Sequence, residues 1–181
     1  MKLFIIASII TMSLLSASTT VFASEDKHRH HDAHEHGVGQ LNLAIENNDI
    51  FIELESPAAN IIDFEHKAQN SQQQQTIEQA IKTLHDGNKV FAFNGAECHM
   101  TDSEVETDLT KMDKHDGDHE ESHADFDVSY QFNCNNAAAL TSIEVKLFDL
   151  FSGTEELQVK MVTPHGQNAV ELSHKNSILE F

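Results

Sequence analysis

Apolar and polar residues alternate along two neighbouring stretches of the chain. Leu41, Leu43 and Ile45 form the first set, Ile50, Ile52 and Leu54 the second, and Asn47-Asn48-Asp49 separates them. A period of two on both sides of an Asn/Asp break predicts a β-hairpin, ended at Pro57, which has no N–H to give to a ladder. From Ser71 the period changes: Ile77, Ala80, Ile81 and Leu84 fall at i, i+3, i+4 and i+7, one face of a helix. Asn70 or Ser71 supplies its amino-terminal cap and Gly87 its stop. Alternation returns at residues 90–93. It returns again at Phe126, Val128, Tyr130, Phe132 and Cys134, whose neighbours Asp125, Asp127, Ser129, Gln131 and Asn133 are expected to face water. Further strands are expected at residues 143–148, 157–162 and 169–172, with Thr163-Pro164-His165-Gly166 as a turn. No internal repeat is visible. The fold class this predicts is mainly β (α+β): antiparallel sheets in a sandwich-like arrangement, one packed amphipathic helix, and disordered His/Asp-rich segments.

Domain organisation follows from the two ends of the pattern. Lys2 precedes an apolar run that closes at Val21-Phe22-Ala23, which predicts an export signal cleaved after Ala23. That run is short for a membrane span and no second one follows, so no transmembrane helix is expected. Residues 24–36 read as a disordered His-rich tail, and residues 37–181 as one β-rich domain interrupted by a flexible His/Asp-rich loop at about 108–124. Cys98 and Cys134 are the two cysteines. In an oxidising compartment they are expected to pair; the competing reading, a thiolate metal site, lacks a C-x-x-C spacing.

Charge narrows the function. The chain carries 30 Asp and Glu against 11 Lys and Arg, a formal net charge of −19. Nucleic acid is excluded as a partner, because phosphate binding rests on clustered Lys and Arg. Cations are favoured instead, and the histidines say which kind. Eight of the 13 histidines fall in two acidic clusters: His28, His30, His31, His34 and His36 in HRHHDAHEH, and His115, His119 and His123 in HDGDHEESH, the latter with Asp116 and Asp118. Neutral imidazole suits Zn, Cu and Ni, carboxylates can complete the shell, and zinc is the commonest fit. The plainer reading is a solvated tail and a solvated loop that bind nothing in particular. Segments so poor in apolar residues would bind several ions weakly in shifting combinations. A tighter site needs ligands on ordered backbone. His34 and His36 at the start of the first strand, His66 after the hairpin and His123 before a later strand are the candidates, against the alternative that His66 packs locally. His85 is expected to complement a helix dipole, and His99, His165 and His174 have no partner nearby in sequence.

His119-Glu120-Glu121-Ser122-His123 matches H-E-x-x-H, the zinc-peptidase pattern in which a helix sets two ligands one turn apart. Gly117 and Asp118 precede it, acids surround it, and an alternating strand begins at Asp125, so the amphipathic helix and dry cavity of such an enzyme are not expected. The acids also miss the Ca²⁺-loop spacing, with Asp118 where glycine is required.

The stretch HEHGVGQLNLAIENNDIFIELESPAANIIDFEH from His34 to His66, a polar helix, a cysteine at 98, then HADFDVSYQFNC at 123–134 and HGQNAVEL at 165–172, resembles the ZrgA family of exported zinc-regulated proteins. The resemblance covers most of the chain beyond the export signal, and SPAANIIDFEH is its most specific part. It implies a non-enzymatic periplasmic component that binds zinc and assists its uptake through an inner-membrane ABC importer. A periplasmic buffer or resistance protein that sequesters excess zinc, copper or nickel is the alternative; induction by zinc starvation or by zinc excess discriminates the two.

Overall fold

The computed structural model describes residues 35–110 and 124–181. The predicted hairpin is formed by β1 (Val38–Glu46) and β2 (Asp49–Pro57), which place Leu41 opposite Leu54, Leu43 opposite Ile52 and Ile45 opposite Ile50. Asn47 takes φ +55° in the turn, a left-handed conformation that Asn tolerates better than most side chains. The odd residues of β1 and the even residues of β2 are buried, and their alternates face out.

Pro57 leads into a short helix, α1 (Ala58–Ile62), followed by α2 (Ser71–Leu84). The Asn70 side chain accepts from Gln73 N at 3.0 Å, the expected cap. Ile77, Ala80 and Leu84 are buried on one stripe and Ile81 at its margin. Gly87 is not the stop. His85 ends α2 in ordinary helical geometry, and Gly87 begins one further turn, α3 (Gly87–Val90). Glycine is required there by space: an added Cβ would lie 2.8 Å from the rings of both Phe132 and Tyr130.

The remaining elements are β3 (Phe91–Asn94), β4 (Cys98–Thr107), β5 (Asp125–Cys134), β6 (Ser142–Val145), α4 (Leu147–Leu150), β7 (Glu156–Thr163), β8 (Gly166–Ser173) and β9 (Ile178–Glu180). Six strands form one sheet in the order β4-β5-β2-β1-β7-β8, and three form another in the order β3-β6-β9. All pairs are antiparallel except β1 with β7, which run parallel. The chain has by then crossed through the smaller sheet and α4, and so it returns to the large sheet in the same direction as β1. The stretch expected as one strand at 143–148 is divided: it pairs only to Val145, and Leu147 opens α4.

The core lies between the inner face of the large sheet and the layer made by α2 and the small sheet. Phe91 of β3 meets Tyr130 and Phe132 of β5 edge-on, with ring centroids 5.3 and 6.2 Å apart, a favoured aromatic geometry. The Tyr130 hydroxyl donates to Leu84 O at 2.7 Å, which ties the end of α2 to the sheet. A disulfide joins Cys98 to Cys134, directly opposite each other in β4 and β5. Closing a loop with a separation of 36 residues stabilises by about 3–4 kcal/mol in the chain-entropy account. On the outer face the large sheet is polar and open. Asp125 departs from expectation there: it is buried, because Pro57 pairs with it and Ala58 N donates to Ala124 O as the chain turns into α1.

Candidate functional site

β1, β5 and β7 begin, and β2 and β4 finish, at one end of the large sheet. The segment Ser56-Pro57-Ala58-Ala59-Asn60 organises this end. Proline at the close of β2, with φ −49°, sets up α1 without needing a donor. Asn60, 2% exposed, then reaches back across the first strand. Its Oδ1 accepts from Gly37 N at 2.7 Å, and its Nδ2 donates to Val38 O at 3.1 Å and to Ser56 Oγ at 3.2 Å. Gly37 takes φ +87°, which any other residue would hold under strain. Its carbonyl accepts from Glu155 N and Glu156 N at 2.8 and 3.0 Å, so the same residue aligns β7. Two residues from Asn60, Ala58 N donates to Ala124 O at 2.8 Å and fixes the start of β5.

The segments that carry the two histidine clusters therefore join the described fold on one five-residue stretch: the first reaches Gly37, the second Ala124. The buried polar and charged residues of the described chain, Ser56, Asn60, Thr107, Asp125 and Thr154, all stand at this end of the sheet. Burying polar groups is unfavourable unless each is satisfied. Asn60 and Ser56 meet that requirement with the bonds just described, and Thr107 Oγ1 accepts from Leu109 N at 3.4 Å.

Asp63, at φ +66°, closes α1 and turns the chain back toward β1. Glu65 Oε1 consequently lies 3.1 Å from His36 Nε2. The Glu65 side chain is 15% exposed and the imidazole 69%, so a largely sheltered carboxyl group holds an accessible ring. His66 stacks on Phe64 with centroids 5.1 Å apart. Its Nδ1 lies 2.9 Å from Lys67 O, and a carbonyl can only accept, so Nδ1 carries the proton. With Nδ1 engaged in this way, Nε2 is the ring nitrogen left to meet a metal ion, the arrangement by which a backbone carbonyl commonly orients a metal-binding histidine. One row in on the outer face, Glu55, Asp127 and Glu106 occupy paired positions of β2, β5 and β4. A row of carboxylates raises the local concentration of cations.

Of the sequence candidates, the structure thus places His36 and His66 on ordered backbone at one corner. His28, His30, His31, His34, His115, His119, His123, Asp116 and Asp118 lie outside the described residues, as does the segment read as an export signal. Among the described residues no group of three or more His, Cys, Asp or Glu side chains is set to hold a metal ion. His85 caps α2 and hydrogen-bonds through Nδ1 to Ser103 Oγ. His174 faces Asp149 at 3.6 Å on an exposed surface, and His165 sits in the β7–β8 turn. A groove of about 550 Å³ between α1, α2 and α4 is lined by Gln, Thr and apolar residues and has no metal-ligating side chain. Asn60 and Glu65 escaped sequence reasoning; both lie in SPAANIIDFEH, the stretch whose residues periodicity left unexplained.

A family model described as ZrgA family zinc uptake protein matches residues 33–181. The chain belongs to the ZrgA family. The match begins beside His34 and runs to the last residue, so it takes in both junctions, the His36–Glu65 corner and the whole sheet. A role connected with zinc uptake follows for this ZrgA protein. No curated protein matches the chain. Among the described residues no helix is long and apolar enough to cross a membrane.

Proposed function

We propose that this ZrgA protein captures zinc in the periplasm, after export and cleavage behind Ala23, and assists its uptake through an ABC-type importer. Its activity is binding and release. The His/Asp-rich segments, with His28, His30, His31, His115, His119, Asp116 and Asp118, act as a weak collector of several ions. A tighter site forms at the junction end of the sheet from His66 and His123, with His34 and His36 beside them and Glu65 orienting His36. The observation that carries this reading is the common anchorage: Gly37 N on Asn60 Oδ1 and Ala58 N on Ala124 O bring both histidine-bearing segments onto one stretch.

The run from His119 to His123 supplies ligands in this reading and not a catalytic helix, since β5 begins at Asp125. Competition titration with a zinc chelator tests the assignment. The intact exported chain is expected to show a tight phase and a weak phase. His66→Ala or His123→Ala removes the tight phase, whereas deletion of residues 27–31 together with His115→Ala and His119→Ala lowers only the number of weakly bound ions. A double substitution of His66 and His123 that leaves the tight phase intact would falsify the assignment.

A further inference from the structure

The two edges of the large sheet differ in how they are guarded. β4 carries His99, Asp102, Glu104 and Glu106, is interrupted by a bulge between Met100 and Asp102, and is cross-linked to β5 at Cys98. Charges and bulges are the usual means by which a protein prevents a free edge from pairing. β8, Gly166–Ser173, has no bulge and a single charge, Glu171. Its sequence GQNAVELS contains one charge, no proline and no lysine, and its register with β7 runs unbroken from Glu156↔Ser173 to Thr163↔Gly166. Among the described residues no strand lies on its outer side.

The direction of the free backbone groups can be read from both ends of β8. At one end, Ser173 N donates to Asn176 O and Ser173 O accepts from Asn176 N, at 3.0 and 2.9 Å. Both groups of Ser173 therefore point away from β7. At the other end Pro164-His165 forms a two-residue turn between the paired Thr163 and Gly166, so Gly166 points toward β7. Antiparallel ladders alternate residue by residue, and the two ends agree: Gln167, Ala169 and Glu171 turn their N–H and C=O outward, while Ser173 is already closed off by Asn176.

We propose that this edge pairs with the same edge of a second copy, antiparallel, about a two-fold axis at Ala169. That register matches all three outward-facing residues: Ala169 opposes its own copy, and Gln167 opposes Glu171 of the partner copy on both sides of the axis. Each such pair exchanges two backbone hydrogen bonds. Moving the axis to Asn168 or Val170 leaves outward groups of β8 without a counterpart. Side chains fit the same register. Ala169 is small enough to face itself, and each Gln167 amide meets a Glu171 carboxylate, so the strand's one charge never faces its like. The arrangement is isologous and closed, and it does not depend on the zinc reading.

Sedimentation equilibrium of the exported chain in excess chelator, which prevents zinc from bridging copies, tests it. The expected result is a mass that rises from monomer toward dimer with concentration. A169K alone and A169E alone place like charges across the axis and stay monomeric, whereas an equimolar mixture regains the dimer. Ala169 is exposed, so neither change disturbs the core. The amides of Gln167, Ala169 and Glu171 exchange rapidly with solvent on dilution and slowly when concentrated. A wild-type chain that remains monomeric at its solubility limit overturns the proposal. So do variants as dimeric as wild type, or a mixture that fails to associate.

Discussion

Asn60 shows what one buried amide does at the junction. It accepts from Gly37 N and donates to Val38 O and Ser56 Oγ, so no apolar residue of its size can replace it without stranding Gly37 N in a buried site. Asn60→Ala is expected to destabilise by about 2–4 kcal/mol, the sum of lost hydrogen bonds and an unsatisfied donor. Urea unfolding measures it, and a loss under about 0.5 kcal/mol, the level of an ordinary surface change, would show that water replaces the side chain. Asn60→Asp keeps the acceptor for Gly37 N and removes the donors, so it separates the two halves of the clamp. None of this was legible beforehand. Periodicity reports which residues face a core, and Asn60 is buried for its hydrogen bonds, which no repeat pattern encodes. His36 and His66 were legible as candidates because their chemistry is unusual wherever they lie. Glu65 was not, because a carboxylate among 30 acidic residues acquires meaning only from the imidazole 3.1 Å away.

Elements were legible where one period holds for a full run. The hairpin and α2 satisfied this, and so did β5 and β7. β4 did not, because the extra residue at Thr101 shifts its inward set from Cys98 and Met100 to Ser103, Val105 and Thr107, and two of those last three are polar. The short turns α1, α3 and α4 are too brief to display a helical period. Tyr130 shows how two elements are locked. Its hydroxyl is buried against Leu84 O, and burial raises its pKa well above the usual tyrosine value. A raised folded value means that the neutral hydroxyl favours folding: this contribution is complete below about pH 10 and is lost as pH rises further, because the unfolded chain releases the proton first. Tyr130→Phe is therefore expected to lower stability at neutral pH by about 1–2 kcal/mol, through the unpaired Leu84 carbonyl. The same variant should also flatten the alkaline decline. Chemical denaturation at a series of pH values reads both effects, and a variant as steeply alkali-sensitive as wild type would assign that decline to other groups.

For the whole molecule, the net charge of −19 and the two histidine clusters announced cation handling, and the mainly β fold came from alternation alone. The meeting of the two junctions, Gly37 and Ala124, at one end of the sheet did not, because it depends on β1 and β5 starting on either side of the end of β2, a matter of strand order. That convergence sets the last expectation. A ligand bound only by segments that stay the same in the folded and unfolded chain cannot stabilise folding, whereas one that requires the junction geometry must. If His66 and His123 share an ion across the ends of α1 and β5, zinc at a hundredfold excess over its dissociation constant should stabilise the chain by about 2.7 kcal/mol. The collector ions, bound to segments that need no fold, should add little. Thermal unfolding with and without zinc then separates the two classes of site. Deleting residues 27–31 and replacing His115 and His119 by Ala should leave the zinc-dependent rise in Tm almost whole, and Asn60→Ala, which contacts no ion, should reduce it by loosening the first junction. If the rise instead disappears with the clusters and survives Asn60→Ala, the tight site belongs to the histidine-rich segments themselves and the sheet end serves only to anchor them.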